Sequence, residues 1–134
     1  MHRTFRVNPS KHNSGKMNHI ISKELAGAST KPILLSILSR SDSYGYAIIQ
    51  SVRELSDGVL DWKDGMLYPV LHRLEDEKLI ESFWKTPETG RKRKYYRILP
   101  AGVEALEAEK QSWFSVNAMF IRLWSPEAQF TLAV

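Results

Sequence analysis

A mainly α-helical domain with one small β-hairpin is the fold that this sequence predicts, and three observations predict it. Apolar residues recur at steps of three and four through three short segments between residues 18 and 78. The step then drops to two in a pair of segments at 80–85 and 94–99, joined by a polar turn containing Gly90. A long final helical segment follows from Pro100 to about Trp124, and its apolar positions are dominated by tryptophan and phenylalanine.

Taken in order, residues 1–17 are polar and basic, with Asn8, Pro9, Ser10, Asn13, Ser14 and Gly15 and no periodicity. They are expected to form a disordered arm or an added extension, since Met17 is an equally good start. Residues 18–100 are expected to form one domain, 101–125 a separate terminal helix and 126–134 a tail. Within 18–40, Ile20, Ile21 and Leu25 make a short apolar face, and Gly27-Ala28-Ser29-Thr30 is expected to break the helix. Thr30 would cap a second piece with Pro32 in its first turn, where the missing N–H costs nothing. Ile33, Leu34, Leu35, Ile37 and Leu38 then make that piece a buried helix.

Ser41-Asp42-Ser43 is expected to end this helix and cap the next, over 44–55, with Tyr44, Ile48, Val52 and Leu55 as its buried stripe. Ser56-Asp57-Gly58 stops it. A third helix over 64–78 has Asp64 as its expected N-cap and Leu67, Leu71 and Leu74 as its inward stripe. Met66, Tyr68, Pro69, His72 and Arg73 are left for its outer face.

Composition narrows the function by exclusion. The chain of 134 residues contains no cysteine, which removes disulfides, thiolate chemistry and Cys-based zinc sites. Its four histidines lack metal-ligand spacing, so neither a metal nor another cofactor is expected. No phosphate-binding glycine loop, H-E-x-x-H or G-x-S-x-G string is present, and no enzyme is expected. No run of about 18 apolar residues is found, nor a secretory signal, so no membrane contact is expected and the expected location is the cytoplasm of a bacterial-type cell.

The net charge of +4 belongs entirely to the arm, where Arg3, Arg6, Lys11 and Lys16 face no acid. The distribution of the remaining charge is more informative. Positions 85–97 hold Lys85, Arg91, Lys92, Arg93, Lys94 and Arg97 against Glu88 alone. Three helices followed by a hairpin with a basic tip is the winged helix-turn-helix arrangement, in which the third helix enters the major groove of double-stranded DNA. Tyr44, Lys63, Met66, Tyr68, His72 and Arg73 are the expected contacts from the helices, with Arg91, Lys92, Arg93 and Lys94 from the wing. The alternative is a winged helix used as a protein-interaction or drug-binding module with no operator of its own. Loss of the wing charges would mark it, and they are present.

The residues also carry a family resemblance. Ser22-Lys23-Glu24-Leu25, Tyr44-Gly45-Tyr46-Ala47-Ile48, the string from Gly65 to Glu75 and Gly90-Arg91-Lys92-Arg93-Lys94-Tyr95-Tyr96-Arg97 together resemble the PadR family of bacterial transcriptional regulators. The likeness runs from Ser22 to Phe114, and it implies a dimeric repressor acting on a near-palindromic operator. One departure is Lys78, where many members place glycine after the third helix; another residue in a left-handed conformation, or a looser turn, is then expected to finish that helix.

In the terminal helix Leu106, Trp113 and Phe120 recur every seven residues, and Phe114, Ile121 and Trp124 widen the stripe. A domain this small has little room to bury them, so they are expected to form a homodimer interface together with Ile20 and Leu25. The string Gln111-Ser112-Trp113-Phe114 resembles the drug-responsive members, which implies that Trp113 stacks on a flat aromatic effector. The competing reading is that Trp113 only fills the interface.

Overall fold

The computed structural model describes residues 20–126. The basic arm, and the tail beyond Pro126, lie outside the described residues. The order of elements is α1 (Lys23–Arg40), β1 (Ser43–Tyr44), α2 (Gly45–Leu55), α3 (Asp64–Asp76), β2 (Ile80–Lys85), β3 (Arg93–Ile98) and α4 (Pro100–Trp124). This is the mainly helical winged-helix arrangement that the periodicity predicts.

The expected break in the first helix is absent. Ser22 is the N-cap, its Oγ accepting from the Leu25 N–H at 3.1 Å, so Ile20 and Ile21 precede the helix. Helix α1 then runs unbroken through Gly27 and Thr30. The Ser29 and Thr30 hydroxyls donate back along the helix to the Leu25 and Ala26 carbonyls, at 2.7 and 3.0 Å, instead of capping a new start. Pro32 therefore lies in the helix interior, where it removes one hydrogen bond.

The segment between the first two helices also differs. Ser43 and Tyr44 form a strand that pairs with β3, giving a three-stranded antiparallel sheet in the order β1-β3-β2. Two residues are too few to display a period, so sequence spacing could not reveal it. Tyr44 is thereby removed from the helical stripe, which is instead Gly45, Ile48, Ile49 and Val52, and Leu55 is exposed.

Helix α3 buries Leu67, Leu71 and Leu74 as the spacing requires. Lys63 occupies the N-cap position without a side-chain bond, and Asp64 begins the first turn, where its charge favours the helix dipole. The helix ends at Asp76, two residues before the expected limit. Lys78 itself adopts the left-handed conformation, with φ 64°, that a glycine would take more easily. The Leu79 N–H then reaches the Leu74 carbonyl at 3.0 Å and the Lys78 N–H reaches Glu75 at 2.9 Å, closing the helix by a Schellman motif.

The hairpin register pairs Ile80 with Ile98 and Lys85 with Arg93, so the return strand starts and ends one residue earlier than expected. Leu99 becomes the N-cap of α4, with Pro100 in its first turn. A Cβ on Gly102 would overlap the Leu79 carbonyl oxygen, so glycine lets α4 lie directly on the backbone between α3 and β2. The Leu99 N–H donates to that same carbonyl at 2.9 Å.

One core joins these pieces: Leu34, Leu35 and Leu38 from α1, Ile48, Ile49 and Val52 from α2, the α3 leucines, Trp62, Leu79, Ile80, Tyr96 and Leu106. Each fully buried aliphatic side chain contributes about 1.5–3 kcal/mol. Tyr96 is buried with its hydroxyl unpartnered among the described residues, and burial pushes its pKa up to about 12, which keeps it neutral.

Candidate nucleic-acid interface

Helix α3 turns its leucines inward, so the surface it offers outward is set by the residues between them. Asp64, Gly65, Pro69, His72, Arg73 and Asp76 are exposed. Met66 and Tyr68, expected on that face, are half-buried and pack against the core. Both are therefore less exposed than the outer-face placement expected from the spacing. The Tyr68 hydroxyl lies against Gly45, where a Cβ would collide with it, so Tyr68 packs α3 against the start of α2. His72 and Arg73 keep the exposure that reading a base edge requires. A Cβ on Gly65 would meet nothing.

Lys63, just before α3, is not a simple free cation. Its Nζ lies 3.0 Å from one Asp61 oxygen, while the Arg53 guanidinium holds the other at 2.7 Å. The hydrogen bonds from Arg53 first, and from Lys63 second, lower the Asp61 pKa and keep it ionised. All three side chains are well exposed, so the pairing is weak and easily exchanged for a phosphate.

The wing carries its cations on aromatic rings. Tyr44, Tyr95 and Phe83 are direct neighbours across β1, β3 and β2, with ring centroids 5.1 and 5.7 Å apart. The Arg93 guanidinium stands 4.5 Å from the Tyr44 ring, Lys85 5.0 Å from Tyr95 and Arg97 4.0 Å from Phe83. Arg97 also pairs with Glu81 at 3.2 Å, so its charge is partly answered within the sheet. Arg91 and Lys92 are exposed in the turn, whereas Arg93 and Lys94 belong to β3. Stacking fixes where Arg93 can reach and reduces the entropy it loses on meeting a phosphate.

The structure gathers Tyr44, Tyr68, Lys92, Arg93 and Lys94 around one cleft of about 340 Å³ between the wing and the helix pair. Lys63, Met66, His72, Arg73 and Arg91 do not line it. Tyr46 and Trp84, not foreseen from the sequence, do.

At the other end, Leu106 is only 3 % exposed, so it belongs to the protomer's core and is not available to an interface as expected. It is the last buried residue of α4, which continues for 18 more residues, roughly 27 Å at 1.5 Å per residue. Phe114, Phe120, Ile121 and Trp124 are exposed there, and Phe120 stacks on Trp124 at 4.4 Å. Ile20 and Leu25 are exposed as well. Trp113 is half-buried and lines, with Pro32, Ile33, Ile37 and Phe114, an apolar cleft of about 380 Å³ between α1 and α4.

Comparison with known proteins fits this geometry. The profile of the transcriptional regulator PadR-like family matches residues 34–108, from the core of α1 into α4. This chain belongs to the PadR-like family. A PadR-like transcriptional regulator from Bacillus cereus is 38% identical, with a TM-score of 0.70 over 79% of this chain and all of that one. A transcriptional regulator from Clostridium thermocellum is 31% identical, with a TM-score of 0.68 over 78% of this chain and 98% of that one. Among curated proteins, the Escherichia coli transcriptional regulator YqjI is 32% identical over 59% of this chain, which spans only 36% of that protein.

The chain is thus a PadR-like transcriptional regulator and not an enzyme, and regulators of this family bind DNA. Among the described residues no cluster of three or more His, Asp or Glu side chains could hold a metal, and no helix is long and apolar enough to cross a membrane.

The Asp61 pairing gives a direct expectation for this PadR-like chain. Asp61→Asn removes a negative charge beside α3 and releases Arg53 and Lys63, so duplex binding should tighten roughly two- to fivefold in low salt. Fluorescence anisotropy with a labelled 40-base-pair duplex measures it. Equal or weaker binding would show that Lys63 takes no part.

Proposed function

We propose that this PadR-like regulator is a homodimeric repressor. It places the outer face of α3 in successive major grooves of a near-palindromic operator, with each wing on the flanking backbone. The observation that carries the reading is the wing itself. Lys92, Arg93 and Lys94 form no ion pair among the described residues, and they stand beside a helix that exposes His72 and Arg73. Cations without acidic partners are what neutralising phosphates requires. A regulator acting this way works in the cytoplasm, where a bacterial chromosome lies.

The dimer is supported by the projecting half of α4. A helix that leaves the core and still exposes two phenylalanines, an isoleucine and a tryptophan is stable in water only when another surface covers it. A two-fold related copy does so, with Ile20 and Leu25 as further apolar surface, and it sets two α3 helices about one DNA turn apart. Residues 101–125 are in this reading the dimerisation helix, appended to a DNA-binding domain at 18–100.

The effector is supported by the cleft at Trp113. Its lining is mainly apolar and includes Trp113 and Phe114, which suits an aromatic molecule, and Arg40 and Lys110 at the same cleft favour a neutral or anionic one. A ligand held between α1 and α4 would shift the dimer contacts and hence the spacing of the two α3 helices, releasing the operator.

Three measurements test these statements. A gel shift on the gene's own upstream region should show Arg91, Lys92 and Arg93, changed together to alanine, weakening binding and flattening its dependence on salt; unchanged binding would remove the wing from the interface. Light scattering at micromolar concentration should give twice the chain mass, and the Phe120→Glu, Trp124→Glu double variant should give the monomer mass. A monomeric parent protein rules the dimer out. Anilinonaphthalene sulfonate, an aromatic anion, should quench tryptophan emission and release the operator, and Trp113→Ala should abolish both. Emission and DNA binding that ignore it would count against an effector site.

A further inference from the structure

We infer that the cleft between the wing and the helix pair seats one sugar–phosphate strand of the duplex, and that Trp84 is a non-ionic DNA contact within it. The inference rests on the docking proposed above and adds to it a site and a residue. Trp84 faces the same side of the sheet as Ile80, Ser82 and Tyr96, since it pairs with Lys94 and alternate residues share a face. Ile80 and Tyr96 are buried on that side, but at Trp84 the core has ended and the indole is 61% exposed. Among the described residues no aromatic or cation–π partner holds it. Its place is explained by the cleft that it lines with Tyr44, Tyr46, Tyr68, Lys92, Arg93 and Lys94.

The chemistry of that cleft is composite. Three cations from one strand and its turn supply charge for phosphate oxygens. Trp84 and Tyr46, itself 65% exposed, supply flat apolar surface. Free phosphate would use the first set and leave the second in water. An acidic peptide would find the charge, but the cleft lies between the wing and the start of α2, with Tyr68 of α3 at its wall, so the docking proposed above brings a backbone strand to it. One strand of a duplex uses both sets, with phosphates on the cations and the C–H face of a deoxyribose on the indole. Lys and Arg then supply the salt-dependent part of the affinity and Trp84 a salt-independent part.

Titration of a 40-base-pair duplex from the gene's upstream region, at several salt concentrations, separates these contributions. Trp84→Ala should weaken binding about 10-fold, the scale of one aromatic contact with nucleic acid, and leave the salt slope as in the parent. Lys92→Ala should lower the slope by about one. Trp84→Phe should keep most of the affinity but lose the tryptophan quenching that the duplex causes in the parent protein, and inorganic phosphate or a deoxynucleoside monophosphate should cause no such quenching. Circular dichroism and light scattering confirm that each variant keeps its fold and assembly. Full affinity in Trp84→Ala overturns the contact, and so does a slope that falls as it does in Lys92→Ala, which would mean that the indole only holds the wing in shape. Quenching by phosphate alone would make the cleft an anion site. A parent protein that binds no duplex would overturn the docking itself, and the strand seat with it.

Discussion

Helix α3, the wing and the terminal helix are all fixed to one another through the backbone of Leu79. Its N–H closes α3 by reaching Leu74, and its carbonyl accepts from Leu99 at the entry to α4. Its side chain is buried in the core, and Gly102 lies against its carbonyl without a Cβ. Lys78 must be left-handed for the chain to turn so sharply from helix into strand. That residue carries a strain of about 1 kcal/mol, which the buried bonds and packing around Leu79 offset. The angle between α3 and the wing, and the direction in which α4 leaves, follow from this junction.

A second constraint is the position of β3 between β1 and β2. It links the wing to the first turn of α2, so the hairpin is not an isolated flap. Tyr96 anchors the strand from the inner side, while Tyr95 joins Tyr44 and Phe83 in a row on the outer side. The row carries Arg93, Lys85 and Arg97 and spaces their charges. A basic wing without it would be a flexible tether for charge; with it, several of the cations have set positions. The same economy appears at Asp61, which holds Arg53 and Lys63 beside α3 by exchangeable surface pairs.

Periodicity made the helices, the hairpin and the α3 leucine stripe legible, because those patterns come from burying one face of a regular element. It misjudged 27–30, where hydroxyls can bond within a helix as readily as they cap one, and it missed β1, whose pairing partner lies about 50 residues away. Among candidate contacts, the exposure of His72, Arg73, Arg91, Lys92 and Arg93 could be foreseen from their type and place. Tyr68 and Met66 could not be separated from them, because a 3.6-residue period leaves residues at the edge of a stripe ambiguous. Leu106 fell on the apolar stripe of α4 together with Phe120, and only the packing shows that the helix leaves the core between them.

The sequence by itself determined the fold class, the family and the basic character of the wing, because each is written in local spacing or in residue type. The tertiary structure alone decided which aromatic side chains are used up in the core and which remain for a partner. Burial depends on neighbours brought together from distant segments. Trp62 and Trp84 are the same residue type on either side of α3, yet one fills the core and the other faces a cationic cleft. Where the sheet outruns the core fixes that difference, and no local pattern encodes it.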